Sequence, residues 1–285
     1  MKIGVSTYSL YRPIHEGKIT VLEAIGKIAE MGGEHVEIVP VGYTLTDNPE
    51  LVDQIVAKAK EVGIDISNYA IGANFALDSE DEVAKEIERV KKEVDIAARL
   101  GVKLMRHDVA SRSDISIKQF NSEVGRLAEA CRQIADYAAE YGITTSVENH
   151  GYYIQASDRV QTLVEAVDRS NFKTTLDVGN FMCVDEDPVI AVRKNLPYAS
   201  IVHIKDFYLR PASQNPGEGW FTTAGGNYLR GAIAGHGDIN LRESIRLIKE
   251  SGYDGYLSIE FEGMEDAYQG TRIGLENVKR FWDEA

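Results

Sequence analysis

The stretch Ile143-Thr-Thr-Ser-Val-Glu-Asn-His-Gly151 decides how this chain is read. It has the pattern of a buried strand with a polar end. Period-two alternation sets Thr144, Ser146 and Glu148 on one face and Ile143, Thr145 and Val147 on the other. A carboxylate at the last position of such a strand is costly unless it is paired or faces water. Three later runs end the same way: Thr174-Thr-Leu-Asp177, Ser200-Ile-Val-His203 and Tyr256-Leu-Ser-Ile-Glu260 each close on a side chain able to bind a metal. Glu148, Asp177, His203 and Glu260 therefore form one candidate site.

Outward from that strand the same unit repeats. Strands are expected at Lys2–Thr7, His35–Val39, Ile64–Ala70, Val102–His107, Ile143–Glu148, Lys173–Asp177, Ser200–Ile204 and Tyr256–Phe261. Between them apolar residues recur at helical spacing, as in Val83, Ile87, Val90, Val94 and Ala97. Glycines after helix ends, such as Val62-Gly63, Leu100-Gly101 and Tyr141-Gly142, mark short helix-to-strand turns. Eight strands and eight helices in strict alternation imply parallel strands with crossover helices, and eight such units close into a (β/α)8 TIM barrel. An open doubly wound sheet competes, but the first turn, Ser6-Thr-Tyr-Ser, lacks the glycine-rich dinucleotide fingerprint. With no linker or composition shift, residues 1–285 are expected to form a single TIM-barrel domain. One segment breaks the rhythm, a long glycine-rich loop at about 207–237 carrying Trp220-Phe221. It reads either as a loop that buries Trp220 against substrate or a neighbouring subunit, making a homo-oligomer a candidate state, or as a packed flap without a direct role.

Composition limits the partners. A formal net charge of -14 opposes nucleic acid, whose binding rests on phosphate neutralisation by Lys and Arg. No apolar run approaches membrane-spanning length, and Met1-Lys-Ile-Gly-Val-Ser reads as a strand rather than a signal peptide. With two cysteines, Cys131 and Cys183, a disulfide framework is not expected, and a cytoplasmic protein that binds a small molecule is.

In a barrel, Glu148, Asp177, His203 and Glu260 end strands five to eight and converge at the mouth, where barrel enzymes keep their sites. Three carboxylates and one imidazole suit a divalent ion, Mn2+ foremost, with Mg2+, Co2+ or Zn2+ as alternatives. Further candidates for contact with substrate are Glu37 at the end of strand two, Arg106 and His107 at the end of strand four, His150, Asn180, Lys205 and His236. Each has a structural alternative: a buried ion pair for Glu37 or Lys205, a satisfied core histidine for His107.

The order of Ser146-Val-Glu148-Asn149, Leu176-Asp177-Val-Gly-Asn180, Val202-His203-Ile-Lys205-Asp206, Gly235-His-Gly-Asp238-Ile-Asn240 and Ser258-Ile-Glu260 resembles the xylose-isomerase-like barrel superfamily. That superfamily holds sugar isomerases and epimerases, inosose dehydratases and endonuclease IV. Similarity to ketose 3-epimerases implies that Glu148 and Glu260 act both as ligands and as an acid/base pair on opposite faces of a sugar carbon. Proton abstraction beside a carbonyl then gives an enediolate stabilised by the bound cation. Asn180 stands where those epimerases place a histidine, and it cannot titrate near neutrality. The resemblance thus implies a metal-dependent sugar isomerase or epimerase. Its alternatives are an inosose-dehydratase-like lyase that eliminates water from a keto-sugar or keto-cyclitol and, further off, a noncatalytic sugar-binding barrel or a nuclease like endonuclease IV.

Overall fold

The barrel strands of this chain leave no edge open, because the last of them pairs with the first. The computed structural model describes residues 1–285. Its strands are β1 (Lys2–Ser6), β2 (His35–Ile38), β3 (Asp65–Ile71), β4 (Leu104–His107), β5 (Thr144–Glu148), β6 (Phe172–Asp177), β7 (Ala199–Ile204), β8 (Asp206–Arg210), β9 (Phe221–Thr222), β10 (Tyr228–Ala232) and β11 (Tyr256–Ile259). Eight of them close a parallel barrel in the order β1-β11-β7-β6-β5-β4-β3-β2. The (β/α)8 TIM barrel expected from the alternation is the fold, and the open sheet is excluded.

The helices are α1 (Tyr11–His15), α2 (Val21–Glu30), α3 (Pro49–Val62), α4 (Glu80–Leu100), α5 (Ile117–Ala139), α6 (Ser157–Val167), α7 (Pro188–Asn195), α8 (Leu241–Glu250) and α9 (Ala267–Glu284). Their limits follow from local chemistry. Thr20 and Glu23 form a reciprocal capping box at the start of α2. Gly63 and Gly101 end α3 and α4 in the left-handed conformation, at φ +75° and +77°, which carries the chain into the next strand. No helix is long and apolar enough to cross a membrane.

Outward-facing strand residues such as Val36, Met105, Val147, Leu176 and Val202 join helix residues such as Ile25, Ile55, Val94, Leu127 and Val164 in one buried apolar core between barrel wall and helices. The barrel interior is polar instead. Ser6, His35, Glu37, Asn68, Ser146, Thr175, Asp177, His203 and Ser258 are all buried. That they point inward is shown by the contact between Glu37 on β2 and His203 on β7, strands that are not neighbours in the ring. Gly4 provides the space this interior needs: a Cβ there would stand 2.1 Å from the His35 carbonyl oxygen and 2.6 Å from its ring.

Two departures interrupt the strict alternation. Short α1 precedes α2 in the first connection. The segment expected as a long loop at 207–237 carries a three-stranded antiparallel arm, β8-β10-β9, joined by long turns. Leu229 faces Leu209 on one side and Phe221 on the other. Its glycines sit at turns and close approaches around short alternating strands, which is why it reads as a loop. Polar side chains fix the arm, from buried Asp206 to exposed Asp185. Asp206 accepts the backbone N–H of Gly235 and of Gly237, both at 2.9 Å. Asp185 accepts the Thr223 hydroxyl at 2.7 Å and the Asn227 amide at 2.8 Å, and the Tyr152 hydroxyl donates to the Thr222 carbonyl at 2.8 Å.

Gly4→Ala is expected to destabilise the fold by roughly 3 kcal/mol, the upper end for overpacking a core, because the atoms it meets include backbone. Thermal unfolding measures this; an unchanged midpoint would mean that the interior around His35 yields.

Candidate metal centre

Glu148 closes β5, Asp177 closes β6, His203 lies one residue from the end of β7, and Glu260 follows β11 directly. The twist of the ring brings one ligand atom of each within 4.8 Å of all the others. His203 Nδ1 stands 3.7 Å from Glu148 Oε1, 3.9 Å from Asp177 Oδ2 and 3.6 Å from Glu260 Oε1. All four residues are buried.

Each member is aimed by a neighbour. Asp177 Oδ1 accepts the backbone N–H of Gly179 at 2.7 Å and of Asn180 at 2.8 Å, which turns Oδ2 toward the cluster. Glu148 Oε1 accepts the Asn180 side-chain amide at 2.9 Å, and Glu148 Oε2 pairs with Arg106 at 2.8 Å. Glu260 Oε2 pairs with Lys205 Nζ at 2.9 Å. The same ammonium lies 3.3 Å from Asp177 Oδ2 and 3.3 Å from Glu262 Oε1.

The donor chemistry fits a divalent cation. His203 Nδ1 and Asp177 Oδ2 are buried and make no hydrogen bond, yet both face the other oxygens of the cluster. Orphaned atoms of this kind are rare unless something binds them. The electrostatics agree. Burial alone would lower the His203 pKa, but the carboxylates of Glu37, Glu260 and Glu148 outweigh it and raise the imidazole well above its ordinary value. Burial pushes the Asp177 carboxyl up to about 6 against the pull of Lys205, with Glu148 and Glu260 adding to the rise. Glu148 goes the other way: despite burial, Arg106 and His203 hold it well below the usual carboxylate range.

Above the cluster lies a cavity of about 380 Å3 whose lining includes Glu148, Glu260, Arg106, His150 and Lys205. Asp177 and His203 are not in its lining, so the cluster has two members at the cavity and two behind them. Asn180 stands just outside as well, bridging the Lys205 ammonium at 3.4 Å and Glu148.

Four candidates lie elsewhere. Glu37 does not line the cavity; its Oε2 meets His203 Nε2 at 2.8 Å, behind the cluster. His107 has the opposite strand parity to Arg106 and points out of the barrel, edge-on to Phe75, with burial lowering its pKa to about 4. Trp220 is stacked in the arm between Arg210 and Arg230, whose guanidinium carbons lie 5.6 and 5.4 Å from its ring. His236 is exposed in the turn clamped by Asp206 and is not in the cavity lining.

Other residues reach the cavity without having been singled out in the sequence. Asp108, one residue past β4, pairs with Arg106 at 2.9 Å and lies 3.5 Å from His150. Tyr8, in the first strand-to-helix turn, and Glu262, two residues past Glu260, are also in the lining. Their signal was present, since all three directly follow barrel strands, where barrel loops gather at the mouth. Glu93 of α4 also lines the cavity and is tied to the hydroxyls of Tyr69, at 2.6 Å, and Thr46, at 3.0 Å. It sits mid-helix, where nothing in the sequence separates it from a solvated face.

Known proteins resemble this chain in sequence or in fold. The inosose dehydratase of Lacticaseibacillus casei is 25% identical over 143 residues, which cover 50% of this chain and 48% of the relative, so the chain spans about half the length of the curated relatives it matches. D-psicose 3-epimerase of Clostridium cellulolyticum H10, solved with D-tagatose, superposes with a TM-score of 0.77 at 16% identity over 99% of each chain. The probable 3-DHS dehydratase involved in petrobactin synthesis from Bacillus anthracis gives 0.76 at 18% identity over 98% of this chain and 99% of that one. At such identities these structures share the fold. The family described as xylose isomerase-like TIM barrel, however, matches residues 25–281, from α2 to the last turns of α9, and to that family this chain belongs.

Proposed function

We propose that this protein is a divalent-metal-dependent enzyme that isomerises or epimerises a sugar or sugar-derived ketose by removing a proton from the carbon beside the carbonyl. One observation carries the reading. Glu148 and Glu260 are disposed alike: Oε1 of each turns toward His203 Nδ1, and Oε2 of each meets a cation at the cavity, Arg106 for one and Lys205 for the other. Each carboxylate thus has one oxygen for the centre and one for a proton. They come from strands three places apart in the ring, which lets them approach a substrate carbon from two sides. Glu148, Asp177, His203 and Glu260 would hold the ion, and a bound divalent ion supplies a positive charge where negative charge develops on a substrate oxygen. One glutamate takes the proton; the other returns one to the opposite face, or the same one returns it to the neighbouring carbon. Arg106 keeps Glu148 ionised between turnovers, Lys205 holds Glu260 Oε2 in place, and His150 and Asn180 offer hydrogen bonds to hydroxyls or to the groups that hold them. Oxygen-rich donors with one imidazole favour Mn2+ or Mg2+ in this reading. The two cysteines, both free and buried, support a reducing, cytoplasmic setting.

A second reading is supported by Lys205. Its ammonium stands among Glu260, Asp177 and Glu262 at the cavity, where it would stabilise a departing hydroxyl. The same proton abstraction followed by loss of a β-hydroxyl as water makes the protein a lyase acting on a keto-sugar or keto-cyclitol, the class named by its inosose dehydratase relatives. Incubation with ketoses and inososes in D2O separates the two. Solvent deuterium in an isomer of unchanged composition supports the first, and a product lighter by one water supports the second.

Glu148→Gln is expected to lower kcat by about 10²- to 10⁴-fold on whichever substrate turns over, the usual contribution of a general acid or base. Undiminished turnover would remove the acid/base assignment. Mn2+ at about 100 times its Kd should stabilise chelator-stripped protein by about 2.7 kcal/mol. Because Asp177, at about 6, and the raised His203 must shed protons to bind an ion, affinity should weaken as pH falls from 8 to 6. Calorimetry in buffers of different ionisation enthalpy reads the protons released; no heat of binding at either pH would remove the centre.

A further inference from the structure

We propose that Glu37 is a positioning residue: it fixes which nitrogen of His203 faces the cluster and so sets the affinity of the centre for its ion. The inference rests on the metal-centre reading above. Glu37 is fully buried in the barrel interior, and no Lys or Arg pairs with it. Its side-chain partners are two, the Asn68 amide at 3.3 Å on Oε1 and His203 Nε2 at 2.8 Å on Oε2. An ionised carboxylate only accepts, so the short contact requires a proton on Nε2. A neutral His203 then carries its lone pair on Nδ1, the nitrogen that has no hydrogen-bond partner and stands 3.6 to 3.9 Å from the oxygens of Glu260, Glu148 and Asp177. The other tautomer would set the Nε2 lone pair against the carboxylate and aim an N–H at the site of the ion.

Asn68 completes the device. Its amide belongs to β3, the strand beside Glu37, and it holds the carboxylate oxygen that His203 does not. Glu37 therefore cannot swing into the cavity without losing both partners. A carboxylate that lies outside the ligand cluster and outside the cavity lining, yet is buried with no Lys or Arg paired to it, has no other evident reason to be there. Partners of this kind commonly contribute 10- to 100-fold to metal affinity.

The test is Mn2+ titration of the chelator-stripped protein by calorimetry, with Glu37→Leu and Glu37→Gln beside wild type. Glu37→Leu is expected to weaken Kd by about 10- to 100-fold. Glu37→Gln, which keeps an acceptor oxygen for Nε2–H, should recover most of that loss. Nitrogen-15 spectra of the Zn2+-loaded wild-type protein should show His203 protonated at Nε2, a readout independent of whether either variant folds. Values of Kd within twofold across the three proteins, or a wild-type spectrum with the proton on Nδ1, would overturn the proposal. Wild type that binds no Mn2+ would instead take down the metal centre, and this inference with it.

Discussion

Four carboxylates, Glu37, Glu148, Asp177 and Glu260, sit inside a closed ring of strands, and the surrounding structure is arranged around the cost of keeping them there. Like charges so close in a medium that screens poorly would drive protons onto the carboxyls, as the rise of Asp177 to about 6 records. Compensation comes in three forms. Arg106 and Lys205 bring permanent positive charge against Glu148 and Glu260. Backbone N–H groups of Gly179 and Asn180 satisfy one oxygen of Asp177. His203 sits at the centre, with one nitrogen committed to Glu37 and the other left facing three oxygens. This arrangement raises the imidazole and leaves His203 Nδ1 without a hydrogen-bond partner; a divalent cation held by the cluster would relieve both conditions at once.

The scaffold answers the same constraint. Barrels usually fill their interiors with bulky branched side chains, whereas this one uses serine, threonine, asparagine and histidine beneath the cluster. Stability must then come from the apolar layer between strands and helices, where the core is continuous. The arm formed by β8, β9 and β10 belongs to this economy of positions. Asp185 follows the turn that carries Asn180, and by accepting from Thr223, Gly225 and Asn227 it locks the arm onto that turn. Gln155 donates to the Asn180 carbonyl at 2.6 Å from the other side. Asn180, which touches Glu148 and Lys205, is thus fixed from two directions.

Much of this was legible in the sequence because strand parity is a strict rule. Glu148 at the end of Thr144–Glu148, and His203 with Lys205 two residues apart, had to share the inward face, and they do. The same rule shows why His107 fails as a site residue once Arg106 is placed inside: adjacent strand residues face opposite ways. Parity puts Glu37 on the inner face with His35 but does not say what stands across the barrel, and its partner lies 166 residues away. Trp220 and His236 were drawn to the site by a glycine-rich segment that looked unstructured. Short antiparallel strands interrupted by glycine have too weak a period to announce themselves. Asp108, Tyr8 and Glu262 depended on loop geometry after the strands, which single-strand patterns do not encode.

The two proposed reactions, isomerisation and elimination, share their first half, so the ligand cluster does not distinguish them; its flanks do. The Glu148 side is closed by Arg106, itself bridged to Asp108 with His150 beyond, and a guanidinium keeps its proton under all ordinary conditions. The Glu260 side is closed by Lys205, an ammonium with three donors and a flexible stem, shared among Asp177, Glu260 and Glu262. An acid/base pair serving two faces of one carbon needs similar environments on both sides, whereas elimination needs one side to take a proton and the other to assist a leaving oxygen. The oxygens of the two glutamates are disposed alike, yet the cations beside them differ in reach and in proton chemistry. In the proposed reading that difference is expressed at the cavity beside Lys205 rather than among the four ligands.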